Sequence, residues 1–451
     1  MKRIFKIVLI SLVCLSLASC EHTFMSVEQL MRPPKLSGED SVLQDAFKAS
    51  VEDKKDIVMK TPFGGDYRSS YILFDINNDS IEEAIVLYSV PGDGNFVIAK
   101  IFEYSGGEWS NTSQIYGKHS EIYEINFADI NGDGCHEILL SWASKFDYDE
   151  ILHNDLNVSY TLEIYSYDGV KNNLIFTDSY TELFFKDLSY NKADEILMFK
   201  VNFSNINNLT TARLISFNKN YSVSCDKVIT ISDMPEIKHV VSDNVISKGK
   251  KITRVFVDGM FNDSEIYTEI IEFDEKFNMS LPLYNKAVSV LPKTLRNDGL
   301  YCMDIDMDGI IEVPTMDIYP FSQRINGEKS EPLNLIIWSE YVNNRFNVKY
   351  KSLLNTKVGH LAIIPEDFIG KITAIYDEEN LNLTFYSVTT DGKIESALFS
   401  FRIFTVPDWE ENSFNYEKLH ENDTYVYGYL IFKAENYNKY KKFILENFYA
   451  L

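Results

Sequence analysis

Along most of this 451-residue chain, short apolar and aromatic runs alternate with turns rich in Asn, Asp and Gly. The pattern begins near residue 60 and predicts many short strands. Two stretches differ, because residues 37–52 and 435–449 carry apolar residues at helical spacing. The first places Leu43, Ala46, Phe47 and Ser50 on one face, and the second places Tyr437, Tyr440, Ile444 and Phe448 on one side. The chain is therefore predicted to be all-β, with a short N-terminal helix and a C-terminal helix.

A nine-residue acidic pattern marks a repeat within the β region. It reads DINNDSIEE in loop 75 (Asp75–Glu83), DINGDGCHE in loop 129 (Asp129–Glu137), DLSYNKADE in loop 187 (Asp187–Glu195) and DIDMDGIIE in loop 304 (Asp304–Glu312). The copies start 54, 58 and 117 residues apart, so a further unit is expected near residue 245, where residues 243–251 fit with most acidic positions lost. Polar turns at 105–107, 168–169, 218–220, 274–276, 342–344 and 390–392 follow the same period. Repeats of this length predict a β-propeller of six to seven four-stranded blades.

Oxygen-bearing side chains at positions 1, 3, 5 and 9 of each loop suit calcium, which takes six to eight oxygen ligands. Glycine at position 6, Gly134 or Gly309, permits the sharp turn that brings these side chains together. Turns rich in Asp and Asn for conformational reasons alone are the alternative. The candidate ligands are Asp75, Asn77, Asp79, Glu83, Asp129, Asn131, Asp133, Glu137, Asp304, Asp306, Asp308 and Glu312, with Asp187, Ser189, Asn191 and Glu195 as a weaker set. Calcium would act as a structural staple, and the unit near 245, with Lys251 at the closing position, is predicted to be empty.

The N-terminus indicates export. Lys2, Arg3 and Lys6 precede an apolar run from 7 to 17, which ends in Leu-Ala-Ser-Cys20, as in a secretory signal. That ending resembles the bacterial lipoprotein lipobox, which implies that Cys20 is acylated and becomes the first residue of the mature chain; an ordinary signal peptide with a chance cysteine is the alternative. The expected organisation is a signal peptide (1–19), a lipidated tether and helix (20–60), blades with acidic loops (61–350), and degenerate closing blades with the C-terminal helix (351–451).

Charge narrows the possible partners. The formal net charge of −24 falls to −27 once the three basic residues of the signal leave. A chain this acidic is unsuited to nucleic acid and suits divalent cations.

The acidic loops run directly into strands and resemble the FG-GAP/VCBS-type repeats of β-propellers, including the integrin α-subunit head. Lipobox, tether, helix and loops together resemble uncharacterised FG-GAP-like bacterial lipoproteins. The family's other motifs are poorly kept: Phe63-Gly64 lies farther from Asp75 than the family pattern has it, 89–91 is a loose echo of Gly-Ala-Pro, and later units lack both. The resemblance implies a propeller and calcium.

Catalytic motifs are absent from the sequence. There is no His-Glu-x-x-His, Gly-x-Ser-x-Gly or phosphate-binding glycine loop, so no catalytic residue is predicted and the sequence favours a non-enzymatic role. The expected function is that of an extracytoplasmic lipoprotein, held to a bacterial membrane by its N-terminal lipid, whose calcium-stabilised propeller binds a protein or a glycan. The alternative is a propeller-fold hydrolase or lyase acting on cell-envelope or extracellular polysaccharide.

Overall fold

The structure is a computed structural model and describes residues 38–51, 56–92, 94–143, 159–201, 210–231, 234–247, 249–274, 276–283, 292–322, 324–325, 328–329, 332–355 and 359–450. The signal peptide, Cys20 and the tether lie outside these residues. Within them the chain forms six antiparallel sheets of four or five strands, a separate two-stranded hairpin and three α-helices. The all-β prediction is confirmed. None of the described helices is long and apolar enough to cross a membrane.

The sheets follow chain order, and we number them 1 to 6. Sheet 1 contains β1 (Val58–Met59), β2 (Tyr71–Phe74), β3 (Glu83–Ser89), β4 (Ile98–Ser105) and β5 (Glu108–Tyr116); sheet 2 contains β6 (Glu121–Ala128), β7 (Glu137–Ala143), β8 (Tyr160–Tyr167) and β9 (Asn172–Tyr180). Sheet 3 contains β10 (Glu182–Lys186), β11 (Glu195–Val201), β12 (Thr210–Phe217) and β13 (Val223–Thr230); sheet 4 contains β14 (Ile237–Ser247), β15 (Lys250–Met260), β16 (Glu265–Phe273), β17 (Met279–Ser280) and β18 (Arg296–Asn297). Sheet 5 contains β19 (Glu312–Ile318), β22 (Asn334–Val342), β23 (Arg345–Asn355), β24 (His360–Ile363) and β30 (Phe448–Ala450), and the hairpin is β20 (Arg324–Ile325) with β21 (Glu328–Lys329). Sheet 6 contains β25 (Ile372–Asp377), β26 (Asn382–Val388), β27 (Ile394–Thr405), β28 (Glu417–Glu421) and β29 (Tyr425–Ile431); the helices are α1 (Gly38–Ser50), α2 (Val406–Asn412) and α3 (Tyr437–Asn447).

Sheets 2 and 3 are simple four-stranded meanders, and the other sheets are variations on this plan. In sheet 1, β1 and β2 both pair with β3, and in sheet 4, β17 and β18 both pair with β16. Sheet 5 gains β24 and the C-terminal strand β30 beyond β23. In sheet 6, β29 lies between β27 and β28. The domain boundary expected at residue 350 falls inside β23.

Successive sheets share hydrophobic cores, because both faces of a sheet's middle strands carry apolar side chains. Sheets 1 to 5 therefore each contribute to cores on both of their sides, and the sheets follow one another as packed layers. The shared cores include Leu87 with Trp142 from sheets 1 and 2, Leu139 with Ile196 from sheets 2 and 3, Leu214 with Val257 from sheets 3 and 4, Phe256 with Val313 from sheets 4 and 5, and Leu353 with Phe385 from sheets 5 and 6.

Helix α1 covers the other face of sheet 1. Leu43 and Phe47 are buried there, as their spacing predicts, and the Phe47 ring lies 5.3 Å from that of Tyr88. Helix α2 lies on sheet 6, where its Trp409 packs edge-on against Phe404. Both ends of the series of sheets therefore carry a helix.

The C-terminal helix is confirmed over a shorter range than predicted. Helix α3 buries Tyr440 and Ile444 but ends at Asn447, so the prediction that Phe448 belongs to its apolar face is wrong. Phe448 is extended instead, because its segment pairs with β24 and its ring stacks on His360.

The unit expected near residue 245 exists as sheet 4, but its first connection is not an acidic loop. Asp243 lies within β14, which pairs with β15 as far as Ser247 opposite Lys250. Asp243 faces Arg254 across this pair, and both side chains are at most 2% exposed. Long strands closed by a short hairpin thus replace the nine-residue loop.

Candidate functional site

The four acidic loops share one geometry, in which the first aspartate organises the turn. In loop 129, Asp129 Oδ1 accepts the backbone N–H of Gly132 at 2.7 Å, and its Oδ2 accepts that of Gly134 at 2.8 Å. In the other three loops the same aspartate accepts the N–H groups of the fifth and sixth positions. All four loops are thus copies of one structural element, which is what the repeat predicts.

Positions 4 and 6 have positive φ in every loop. Gly134 and Gly309 adopt φ of 95° and 86°, as their predicted role in the turn requires. Ser80 replaces glycine at position 6 of loop 75 and still adopts φ of 70°. Loop 75 therefore keeps the fold of the others despite lacking the glycine.

The glutamate at position 9 is buried in each loop and closes it. Its Oε2 accepts the backbone N–H of position 2, at 2.7 Å in loop 75, 3.0 Å in loop 129, 2.8 Å in loop 187 and 3.0 Å in loop 304. The partner of its Oε1 differs between loops. It is the Asn77 amide in loop 75, the Tyr221 hydroxyl in loop 129, the Ser189 hydroxyl in loop 187 and the Lys349 ammonium in loop 304.

Burial raises the pKa of Glu137 to about 7 and that of Glu195 to about 7. A buried carboxylate without a cationic partner favours its neutral form. A divalent cation in the loop would favour the charged form instead. The oxygen donors of loop 129 and the burial of its closing glutamate therefore fit calcium.

Loop 304 differs because a lysine lies among its carboxylates. Asp304, Asp306 and Glu312 offer oxygens within 4.8 Å of one another. Lys349 Nζ, from β23, lies 2.9 Å from Asp306 and 2.5 Å from Asp308. The carboxylates that look most suited to calcium in the sequence are thus already paired with an ammonium group.

Neighbouring loops are joined by hydrogen bonds from one unit to the previous one. His136 N–H donates to Ile76 O at 2.7 Å, and Asp194 N–H donates to Asp129 O at 2.7 Å. In sheet 4, Thr253 Oγ1 donates to Leu188 O at 2.8 Å. The loops therefore lie along one end of the series of sheets.

A second cluster is centred on Glu124 and Glu182, on the first strands of sheets 2 and 3, and includes tyrosines from other strands of sheet 2. Glu124 Oε1 accepts the Tyr180 hydroxyl at 2.7 Å, and the Tyr123 and Tyr160 rings stack at 3.7 Å. Burial raises the pKa of Glu182 to about 8, and the nearby charge of Glu124 acts in the same direction. Burial also raises the pKa of Glu124, against hydrogen bonds that lower it.

Sequence reasoning missed this carboxylate pair, although the repeat contained a signal for it. Glu182 follows Glu124 by 58 residues, the same separation as between Asp187 and Asp129. Each glutamate stands five positions before the first aspartate of its loop. Equivalent positions in adjacent repeats lie close together in packed layers.

No protein-family model and no curated protein matches this chain. Solved structures match the chain at low similarity. The chain is similar to the mannose phosphorylase MPT-4 from Leishmania mexicana at 10% identity and a TM-score of 0.24, covering 72% of this chain and 93% of that one. A hypothetical protein from Leishmania major matches at 11% identity and a TM-score of 0.17, covering 70% of this chain and 97% of that one. AofleA from Arthrobotrys oligospora matches at 9% identity and a TM-score of 0.21, covering 77% of this chain and 85% of that one. Similarities this low carry no argument about fold or function.

Proposed function

We propose that this chain is an extracytoplasmic lipoprotein, held to a bacterial membrane through Cys20, whose calcium-stabilised β domain binds a protein or a glycan. The N-terminal sequence and the acidic charge support the compartment. The observation that carries the calcium proposal is the shared geometry of the loops, in which four copies of one turn hold oxygen-bearing side chains at positions 1, 3, 5 and 9 of the same short loop. Loops 75 and 129 are the proposed calcium sites, since each keeps three carboxylates and an amide and has no lysine at its closing glutamate.

We also propose that the six sheets are the blades of a propeller-like array. Support comes from the shared cores of successive sheets and from the acidic loops along one end of the series. The helices α1 and α2 cover faces of the first and last sheets, as capping elements do in repeat proteins, so the proposed array is open between these two sheets rather than closed into a ring. The partner would then bind at an end of the array, where the connections between strands lie.

Calcium is expected to raise the Tm of the full chain, by about 3 °C for a site filled at 100 times its Kd. Asp129→Asn is expected to remove most of the increase contributed by loop 129, because the aspartate both folds the loop and supplies a ligand. Differential scanning calorimetry in calcium and in EDTA measures this difference.

The matched control for this substitution is Asp168→Asn. Asp168 also accepts backbone N–H groups, from Val170 and Lys171, but in a hairpin turn outside the acidic loops. Its substitution should lower Tm equally in calcium and in EDTA. An unchanged Tm between calcium and EDTA for the natural chain would contradict the proposal.

The Glu124–Glu182 cluster favours a second candidate function, cleavage of a glycosidic bond. Such cleavage uses a pair of carboxyl groups, one of which must be protonated to act as the general acid. Burial raises the pKa of Glu182 to about 8, so this group is mostly protonated at neutral pH. An acid of this kind on an extracytoplasmic protein suits an envelope polysaccharide as substrate.

If the chain is a glycosidase, Glu182→Gln should lower the release of reducing ends from soluble envelope polysaccharide by about 100-fold or more. Glu121→Gln is the control, because Glu121 lies on the same strand as Glu124 but pairs with Lys60 at 2.7 Å. No release by the natural chain, with glycan retained on the immobilised protein, would favour the binding function instead.

A further inference from the structure

Lys349 is held among the carboxylates of loop 304 by a β-bulge. Trp338 pairs with Tyr350 and Ser339 pairs with Val348, so Lys349 is the extra residue of β23. Bulges direct side chains away from the regular alternation of a strand. The corresponding strands of sheets 1 to 3 also carry a bulge, with Thr112, Ile175 and Ser224 as the extra residues. Only in sheet 5, among these four, is the bulged residue a cation.

The ammonium group contacts four carboxylates. Its Nζ lies 2.9 Å from Asp306, 2.5 Å from Asp308, 3.4 Å from Glu312 and 2.8 Å from Glu340. A lysine side chain is positively charged at neutral pH, and each of these contacts pairs it with a carboxylate. Tyr350, the next residue, donates its hydroxyl to Asp306 at 2.8 Å and so also holds this carboxylate.

Three of these four carboxylates are the ones that calcium would need. Calcium holds its oxygens at 2.3–2.6 Å, and the lysine nitrogen already lies among the same side chains at hydrogen-bonding distance. Asp306, Asp308 and Glu312 therefore cannot bind calcium and the ammonium group at the same time. Loops 75, 129 and 187 have a neutral group on the closing glutamate, so this competition is specific to loop 304.

We propose that Lys349 is the built-in cation of loop 304, which makes this loop a latent divalent-cation site that stays closed to calcium while the lysine is in place. The proposal rests on the proposed function only in taking loops 75 and 129 as the calcium sites of the natural chain. The ammonium group then does for sheet 5 what calcium does for sheets 1 and 2. Unlike calcium, it cannot be removed by a chelator.

The test uses the full chain, stripped with EDTA and titrated with calcium chloride by isothermal calorimetry. Asp306→Asn in the natural background should leave the number of bound calcium ions unchanged, because loop 304 takes none. Lys349→Met should gain one ion. In EDTA this variant should melt several degrees lower than the natural chain, and calcium should restore most of the loss.

Lys351→Met is the control for removing a lysine from β23, since Lys351 pairs with the exposed Glu366. It should gain no calcium. Lys349→Arg keeps the charge and should also gain none. If Lys349→Met does not fold, the Asp306→Asn titration still decides the matter.

A loss of one bound ion in Asp306→Asn would overturn the proposal, and so would a folded Lys349→Met that gains none. In either case, calcium binding that depends on Asp129 would leave the proposed function standing. Absence of calcium binding in the natural chain and in all variants would overturn both.

Discussion

Replacing Arg254 with leucine is expected to lower the free energy of unfolding by about 3–5 kcal/mol. Arg254 and Asp243 are buried in sheet 4, and Arg254 Nε donates to Asp243 Oδ1 at 2.7 Å. The guanidinium group also donates to the backbone carbonyl of Tyr341 in sheet 5. Leucine would leave a charged carboxylate buried without its partner and would remove a link between the two sheets. Urea denaturation followed by tryptophan fluorescence measures the loss.

Two variants separate the buried charge from the loss of a side chain. The double variant Arg254→Leu with Asp243→Leu removes both charges and should recover much of the stability. Arg213→Leu breaks the partly exposed pairs with Asp226 and Asp178 and should cost about 1 kcal/mol or less for each pair. Equal losses for Arg254→Leu and Arg213→Leu would show that the buried pair has no special role.

Protonation of His360 alone is expected to lower the free energy of unfolding by roughly 3 kcal/mol as pH drops from 6.5 to 4. Burial lowers the pKa of His360 to about 4, from an ordinary value near 6.5. The folded chain therefore holds the neutral imidazole. Its contribution is fully present above pH 6.5, where the unfolded chain also has a neutral histidine, and is lost as pH falls towards the folded value.

This contribution can be isolated by comparing pH profiles of urea denaturation. His360→Phe keeps an aromatic ring against Phe448, which stacks on the imidazole at 5.5 Å, but cannot take up a proton. Its profile should be flatter than that of the natural chain between pH 6.5 and 4. His420→Phe, at an exposed position, should leave the profile unchanged. A natural slope that survives in His360→Phe would assign the acid sensitivity to other groups.

Much of this organisation could be predicted from the sequence, because the residues that define the repeat make their contacts within their own loop. The aspartates and glutamates of the loops bond to backbone groups within nine residues, so their spacing alone indicates the turn. Helix α1 was predictable for the same reason, from the spacing of Leu43 and Phe47.

Features that depend on distant strands could not be predicted in this way. Lys349 reaches loop 304 only because β23 bulges two strands away from it, and no spacing connects it with Glu312. In the sequence, Asp243 resembles the first residue of a degenerate loop, but in the structure it lies within a strand and pairs with Arg254. The sequence of helix α2 carries two signals of a helix start, a Thr405 N-cap and Pro407 in the first turn. The helix follows directly on the long strand β27, so the apolar pattern of the strand hides the position where the helix begins.

The hydrogen bonds between neighbouring loops bear on how such a chain can change in evolution. We call each sheet, with its acidic loop where it has one, a unit. Between units 1 to 3, the N–H group at position 8 of one loop donates to the backbone carbonyl at position 1 or 2 of the previous loop, so these junctions place few demands on side chains. A duplicated or exchanged copy could enter there with its connections intact. The junction between units 4 and 5 is different, because Ile311 N–H donates to the side chain of Asp243 at 2.9 Å. Recombination at that junction would have to carry Asp243 and Arg254 together, so units 4 and 5 are expected to be inherited as one block.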